Sequence, residues 1–170
     1  QPEQAAQARI RLTDVAPTVA GALGVRSPRN TTGRAIAGYA AEHVIVVAID
    51  SLSYLAYDDV RGQGVARVLD SLGAPKLTLA AYPSSSPSAA LAILRGSYAG
   101  ALAEDPAESL FDVLSEAERA GVAVLPSAPQ FELGAVSRLV LAADGSTAAT
   151  VDAALDVLQS NAPALLWLQL

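Results

Sequence analysis

The chain has 170 residues, 52% of them hydrophobic and 16% charged, with a net charge of −6, which describes a domain with a sizeable core and the reverse of a disordered chain. Its eleven Lys and Arg residues are scattered singly or in loose pairs such as Arg9 and Arg11, so the basic cluster that a nucleic-acid partner requires is missing. Cysteine is absent, which removes disulfides and thiolate metal sites, and no apolar run approaches the roughly 20 residues of a membrane span.

The chain opens on Gln1 and holds no Met, not even an initiator, which suggests a processed or trimmed product or an excised fragment. Residues 1–11 are polar and Ala-rich and predict a loose lead-in. Thr13 or Asp14 can cap a helix to about Gly21, with Val15, Val19, Ala22 and Leu23 at helical spacing and Gly24 just past its end. Residues 27–33 read as loop, broken by Pro28, Asn30 and Gly33. Residues 44–49, Val-Ile-Val-Val-Ala-Ile, predict a strand buried on both faces and ending at Asp50.

Residues 60–72 carry Val65, Val68, Leu69 and Leu72 at helical spacing until Gly73 and Pro75, and 76–81 form a second strand candidate. After a turn at 83–86, residues 87–94 predict a helix with Pro87 in its first turn. Residues 107–120 set Leu110, Phe111, Leu114 and Ala117 against Glu108, Asp112, Ser115 and Glu118, an amphipathic helix stopped by Gly121. Strands are expected at 122–125, 138–142 and 165–170. Between the last two lies a helix at 148–159 with Val151, Ala154, Leu155 and Leu158 inward. The alternation predicts one α/β domain, a three-layer sandwich whose mainly parallel central sheet is flanked by helices.

In an open parallel sheet, ligands gather beyond the carboxyl ends of the strands, where Asp50 stands. Ser86 follows the next strand candidate and precedes a helix. Adjacent strands would bring the two side chains to one edge. At the N-cap, Ser86 would stand among unpaired N–H groups and the positive end of the helix dipole, which favour a bound phosphate. A serine is a weak nucleophile until a base or metal stabilises its alkoxide, and Asp50 is a hard oxygen donor able to hold such a metal. Each residue also has a plainer role: an Asp after a strand is often a loop or cap residue, and a Ser before Pro is usually an N-cap.

The apolar strand followed by Asp50-Ser51-Leu52 resembles the first motif of the alkaline phosphatase superfamily, usually Asp-Gly-Leu. Pro83-Ser84-Ser85-Ser86-Pro87, running through Ala89-Ala90-Leu91 to Arg95-Gly96, resembles its next motif, a Pro-Thr-x-Thr-Pro turn and a helix to Thr-Gly. There the nucleophile stands ten residues before the Gly, which selects Ser86 over Ser84 and Ser85. Ser51 and Arg95 depart from the pattern, standing where the family has Gly and Thr. Leu12-Thr13-Asp14-Val15-Ala16-Pro17-Thr18, then Pro28 and Gly33-Arg34, is similar to the helix and loop near the family's C-terminus. Here that segment, residues 12–40, comes before residues 43–170, which resemble the family's N-terminal half. A circular permutation explains the order, and a concatenated chain would too.

The resemblance implies an alkaline-phosphatase-like fold. It also implies a metal-dependent phosphohydrolase or phosphotransferase acting on a small-molecule phosphate ester, with Ser86 as nucleophile and Asp50 and Ser86 at divalent zinc or manganese. The family's further Asp and His ligands have no counterpart. His43 stands at the amino end of its strand, away from Asp50, and reads as structural or exposed. Asp58 and Asp59 read as a solvated turn or cap, Asp144 as a turn, and Glu104 and Asp105 as loop. From these residues alone, weak metal binding and slow or no turnover are expected. The competing reading is a non-catalytic α/β binding or interaction module that kept the fold and lost the ligands. A different α/β hydrolase or nucleotide-binding domain would need a Gly-x-Ser-x-Gly elbow, a Walker A loop or Gly-x-Gly-x-x-Gly, and the chain has none of these.

Overall fold

β-branched runs lose less by being extended than by being helical, and buried backbone groups must find partners. In the computed structural model, which describes residues 10–61, 63–64, 67–72, 78–79, 85–98 and 108–170, the apolar runs pair with one another. In chain order the elements begin with β1 (Ile10–Arg11), a 3-10 turn (Leu12–Asp14), α1 (Val15–Ala22), β2 (Val44–Ala48), α2 (Tyr54–Val60) and α3 (Arg67–Ser71). They continue with β3 (Thr78–Leu79), α4 (Ser86–Arg95), α5 (Leu110–Glu116), β4 (Gly121–Leu125), β5 (Arg138–Leu141), α6 (Thr147–Ser160) and β6 (Leu165–Gln169). Four strands form one sheet in the order β2-β6-β4-β5, parallel at every pairing. The register sets Val44 and Gly121 on either side of Leu165.

Alternation across the pleat gives the sheet two apolar faces. On one, Ala123, Leu125, Leu165 and Trp167 pack with Val46 and Ala48 against Ala16, Val19 and Ala20 of α1, Ala90 and Leu94 of α4, and Leu110, Phe111 and Leu114 of α5. On the other, Val122, Val124, Leu166 and Leu168 meet Ala154 and Val157 of α6. Each fully buried large side chain contributes about 1.5–3 kcal/mol, so these two clusters dominate the stability. Four of the helices start on serines: Ser53, Ser85, Ser109 and Ser146 each accept an N–H from the first turn, and Asp112 returns the bond to Ser109.

The α/β class and the parallel sheet are as the sequence predicts, and several details differ. β2 is half-buried on one face and exposed on the other: Ile45 and Val47 are 51% and 49% exposed. It is an edge strand of the described sheet, and α6 covers β4 and β6. Of the helix expected over 60–72, Arg67–Ser71 is helical as α3 and residues 61 and 63–64 are turn, while α2 lies almost wholly before it; Val68 and Leu72 are exposed, and Val65, Gly73 and Pro75 are outside the described residues. In α6 the buried stripe is Thr150, Ala154 and Val157, while Leu155 turns outward. Thr150 tolerates burial because its hydroxyl donates to the Ser146 carbonyl at 2.7 Å. Ala117 ends α5 as an exposed C-cap rather than an inward residue. Of the strand expected over 76–81, Thr78 and Leu79 are described, and they pair with Ile10 and Arg11 in a separate two-stranded parallel sheet.

Candidate functional site

Asp50 follows β2 at its carboxyl end. The ladder with β6 runs one step past the strand: Leu170 N–H donates to the Ala48 carbonyl and Asp50 N–H to the Leu170 carbonyl, both at 2.8 Å. Ala48 is the register partner of Gln169, so Asp50, two residues on, projects from the same face as Gln169. The Gln169 side-chain amide donates to Asp50 Oδ2 at 3.2 Å. The carboxylate is exposed and has no ion pair among the described residues. Immediately after it, Ser51 takes φ +63°, a left-handed conformation that turns the chain out of the sheet.

Ser86 is the first residue inside α4, not the N-cap expected for it. Ser85 takes the N-cap with extended backbone, its hydroxyl accepting the Ser88 N–H at 3.4 Å and lying 3.0 Å from the Ser88 hydroxyl. Relieved of capping, Ser86 is exposed, and its hydroxyl makes no hydrogen bond to the described residues. Ser84 lies outside the described residues. The strands before Asp50 and Ser86 are not neighbours, because β2 pairs with β6 while β3 pairs with β1. No hydrogen bond joins the two side chains.

The other candidate donors are dispersed. His43 is exposed before β2, its Nδ1 2.9 Å from the Pro163 carbonyl, at the edge opposite Asp50. Asp58 and Asp59 lie on α2. Asp144 accepts the Ser146 N–H at 2.8 Å in the turn before α6, and the bonds from Ser146 hold its carboxyl below the usual range. Glu104 and Asp105 are outside the described residues, among which no group of three His, Asp or Glu side chains could hold a metal. Asp50 has the chemistry of one ligand to a hard divalent ion: an accessible carboxylate, one oxygen steadied by an amide and the other open. By itself it does not make a two-metal centre.

A second constellation joins segments far apart in the chain. Asp14 accepts the Arg11 N–H through Oδ2 at 2.9 Å and the Arg34 N–H through Oδ1 at 2.8 Å. One helical turn on, the Thr18 hydroxyl donates to the Asp14 carbonyl at 2.5 Å and accepts the Ile36 N–H at 3.0 Å. The loop so held reaches the end of α4. Thr32 and Gly33 donate their N–H groups to the Gly96 carbonyl at 2.9 and 3.1 Å, and the Thr31 hydroxyl donates to the Arg95 carbonyl at 3.0 Å. These are terminal carbonyls that the helix cannot satisfy itself. Both glycines are required by the contact: a Cβ on Gly33 would fall 1.9 Å from the Thr13 oxygen, and Gly96 has φ +70° with Thr31 Oγ1 2.7 Å from where its Cβ would stand.

The same segment is tied to α5. Arg26 donates both terminal nitrogens to Glu108 at 2.6 Å and reaches Glu116 as well, and Glu108 also accepts the Arg29 N–H at 2.6 Å. The Arg26 bond holds the Glu108 carboxyl below the usual range, with the Arg29 N–H assisting, and Glu108 in turn raises the guanidinium. Sequence reasoning singles out Asp14 and Gly33 as cap and breaker without their long-range partners, and it misses Gln169. The available signal for Gln169 is one polar residue ending an otherwise apolar strand.

No family model matches the chain, and neither a curated protein nor a solved structure matches it.

Proposed function

We propose that the chain is a phosphohydrolase- or phosphotransferase-like domain of the alkaline phosphatase superfamily type, acting on phosphate esters through Ser86, with Asp50 as a metal-ligating carboxylate. The observation that carries this reading is the clasp between residues 31–33 and the Arg95-Gly96 end of α4. The segment resembling the superfamily's C-terminal helix and loop lies ahead of β2 in this chain, and it packs beside the same sheet and on the helix that Ser86 begins, which is compatible with a permuted order. Ser51 adds support: the residue standing where the resembled motif has Gly adopts φ +63°, a conformation glycine takes without strain.

In this reading the Ser86 hydroxyl attacks phosphorus. The ester oxygen departs with a proton, and water later releases phosphate from the phosphoserine. The first N–H groups of α4 favour the phosphoryl oxygens. A bound zinc or manganese ion would supply Lewis-acid stabilisation of the developing negative charge. Its donors besides Asp50 and Ser86 would come from outside the described residues.

The test is to incubate the protein with an aryl phosphate and manganese and to look by mass spectrometry for a phosphoryl group on the peptide carrying Ser86. Slow, Ser86-dependent labelling that disappears in Ser86→Ala is expected. Labelling elsewhere, or none together with no metal uptake, would overturn the assignment and favour the non-catalytic module.

A further inference from the structure

β2 is an edge strand of the described sheet, and its residues Val44–Ala48 carry none of the charges or prolines that usually protect an edge. Register shows which face is bare. Ile45 and Val47 lie beside Leu166 and Leu168 of β6, which α6 covers, yet Ile45 and Val47 are exposed. The segment that follows β2 carries a matching surface. α3 buries none of its residues, and Val68 and Leu72, one helical turn apart, are 74% and 79% exposed. Asp70 stands on the opposite side of that turn and accepts the Tyr57 hydroxyl at 2.7 Å, which ties α2 to α3 and leaves Val68 and Leu72 facing away. We propose that α2 and α3 form a strap that closes over the bare face of β2, seating Val68 and Leu72 on Val47 and Ile45.

Handedness and spacing select this occupant. From β5 through α6 to β6 the chain steps across the sheet toward β2, with α6 on the face of Leu166 and Leu168. Crossovers between parallel strands are almost always right-handed. β6 fills the inner side of β2, so a connection continuing outward from β2 steps in the same direction. The same hand then lays it on the same face, the one that holds Ile45 and Val47. The chain leaving β2 there is α2 and α3. Ile45 and Val47 are about 6.6 Å apart along a strand, and Val68 and Leu72 about 6 Å apart along a helix, so the two pairs are in step. A crossover helix runs antiparallel to its strand, which sets Val68 over Val47 and Leu72 over Ile45. Closure takes all four aliphatic side chains out of water, and it needs neither Asp50 nor Ser86 as a catalytic group.

The chain has no cysteine, so thiol pairs can be introduced without background. Val47→Cys with Val68→Cys, and Ile45→Cys with Leu72→Cys, are the test pairs, all at exposed positions. Leu139→Cys with Leu72→Cys is the control, because Leu139 is exposed on β5 at the other edge of the sheet. Each full-length variant is oxidised mildly in dilute solution, and disulfides within and between chains are separated by gel mobility and mass spectrometry. A disulfide requires its Cα atoms within about 7 Å, so closure should form both test bonds within one chain at least about 10-fold faster than the control. A test pair that forms no faster than the control overturns the strap. Disulfides joining two chains overturn it as well and assign the face to a second copy. If a double variant does not fold, nuclear Overhauser contacts between the Val47 and Val68 methyl groups of the unmodified chain decide, their presence supporting closure and their absence refuting it.

Discussion

Replacing Gly33 by alanine puts one methyl group where there is no room. The new Cβ would lie 1.9 Å from the Thr13 oxygen, 2.3 Å from its carbonyl carbon and 2.8 Å from the Asp14 nitrogen, all backbone atoms that no rotamer change can move. The loop must back away by about 1 Å or more to restore ordinary contact distances. Three bonds are at stake in that movement: Thr32 and Gly33 to the Gly96 carbonyl, and Arg34 N–H to the Asp14 carboxylate. At roughly 1 kcal/mol net for each, somewhat more for the charged acceptor, the expected loss is about 3 kcal/mol. For a chain of this size that lowers the melting temperature by about 6–12 °C. Gly21→Ala is the control, because nothing lies within 4 Å of where its new methyl group would stand and alanine favours the helix. Its melting temperature should hold or rise. A Gly33→Ala protein that melts within about 2 °C of wild type by circular dichroism would refute the claim that residues 31–33 are clasped against the 3-10 turn and the end of α4.

Ser51→Gly should stabilise the protein by about 1 kcal/mol, because it relieves the left-handed conformation at φ +63°; a lower midpoint in urea would contradict this. Ser85→Ala should cost about 1 kcal/mol as the loss of an N-cap, whereas Ser86→Ala should stay within about 0.5 kcal/mol, and the opposite ranking would reverse their assignment. Glu108 has a lowered pKa in the folded state, so its contribution is present above the ordinary carboxylate range and lost as pH falls through the folded value. Melting temperatures of wild type and Glu108→Gln should therefore differ by a constant amount above about pH 5 and converge as the pH is lowered below about 4. A gap that widens toward acid would refute the Arg26–Glu108 pairing as its source.

The elements that depend on a few neighbouring residues are legible in the sequence. The β-branched run at Val44, the Leu110, Phe111 and Leu114 stripe, and the helix over 87–94 all carry their own periodicity or breakers, and all form. What depends on position within the sheet is not legible. Val44–Ala48 reads as doubly buried because every residue is apolar, yet coverage is decided by where α6 lies, and α6 sits over other strands. In α6, Ala154 and Leu158 face the core as the pattern predicts, but Leu155 does not and Thr150 does, because a threonine that bonds its own helix is invisible to a hydrophobicity pattern. Asp50 and Ser86 stand out by their places after and before elements. Their relation depends on strand order, which spacing does not encode. Gln169 escapes notice because its partner is 119 residues away.

The strand order also bears on synthesis. β6 lies between β2 and β4, and it is the last of the four strands to leave the ribosome. Until the chain has been made through Gln169, β2 and the β4–β5 pair share no backbone bond, and the core around Trp167 lacks its largest member. The nascent chain carries two unsealed apolar edges until then, a state exposed to aggregation and to capture by chaperones.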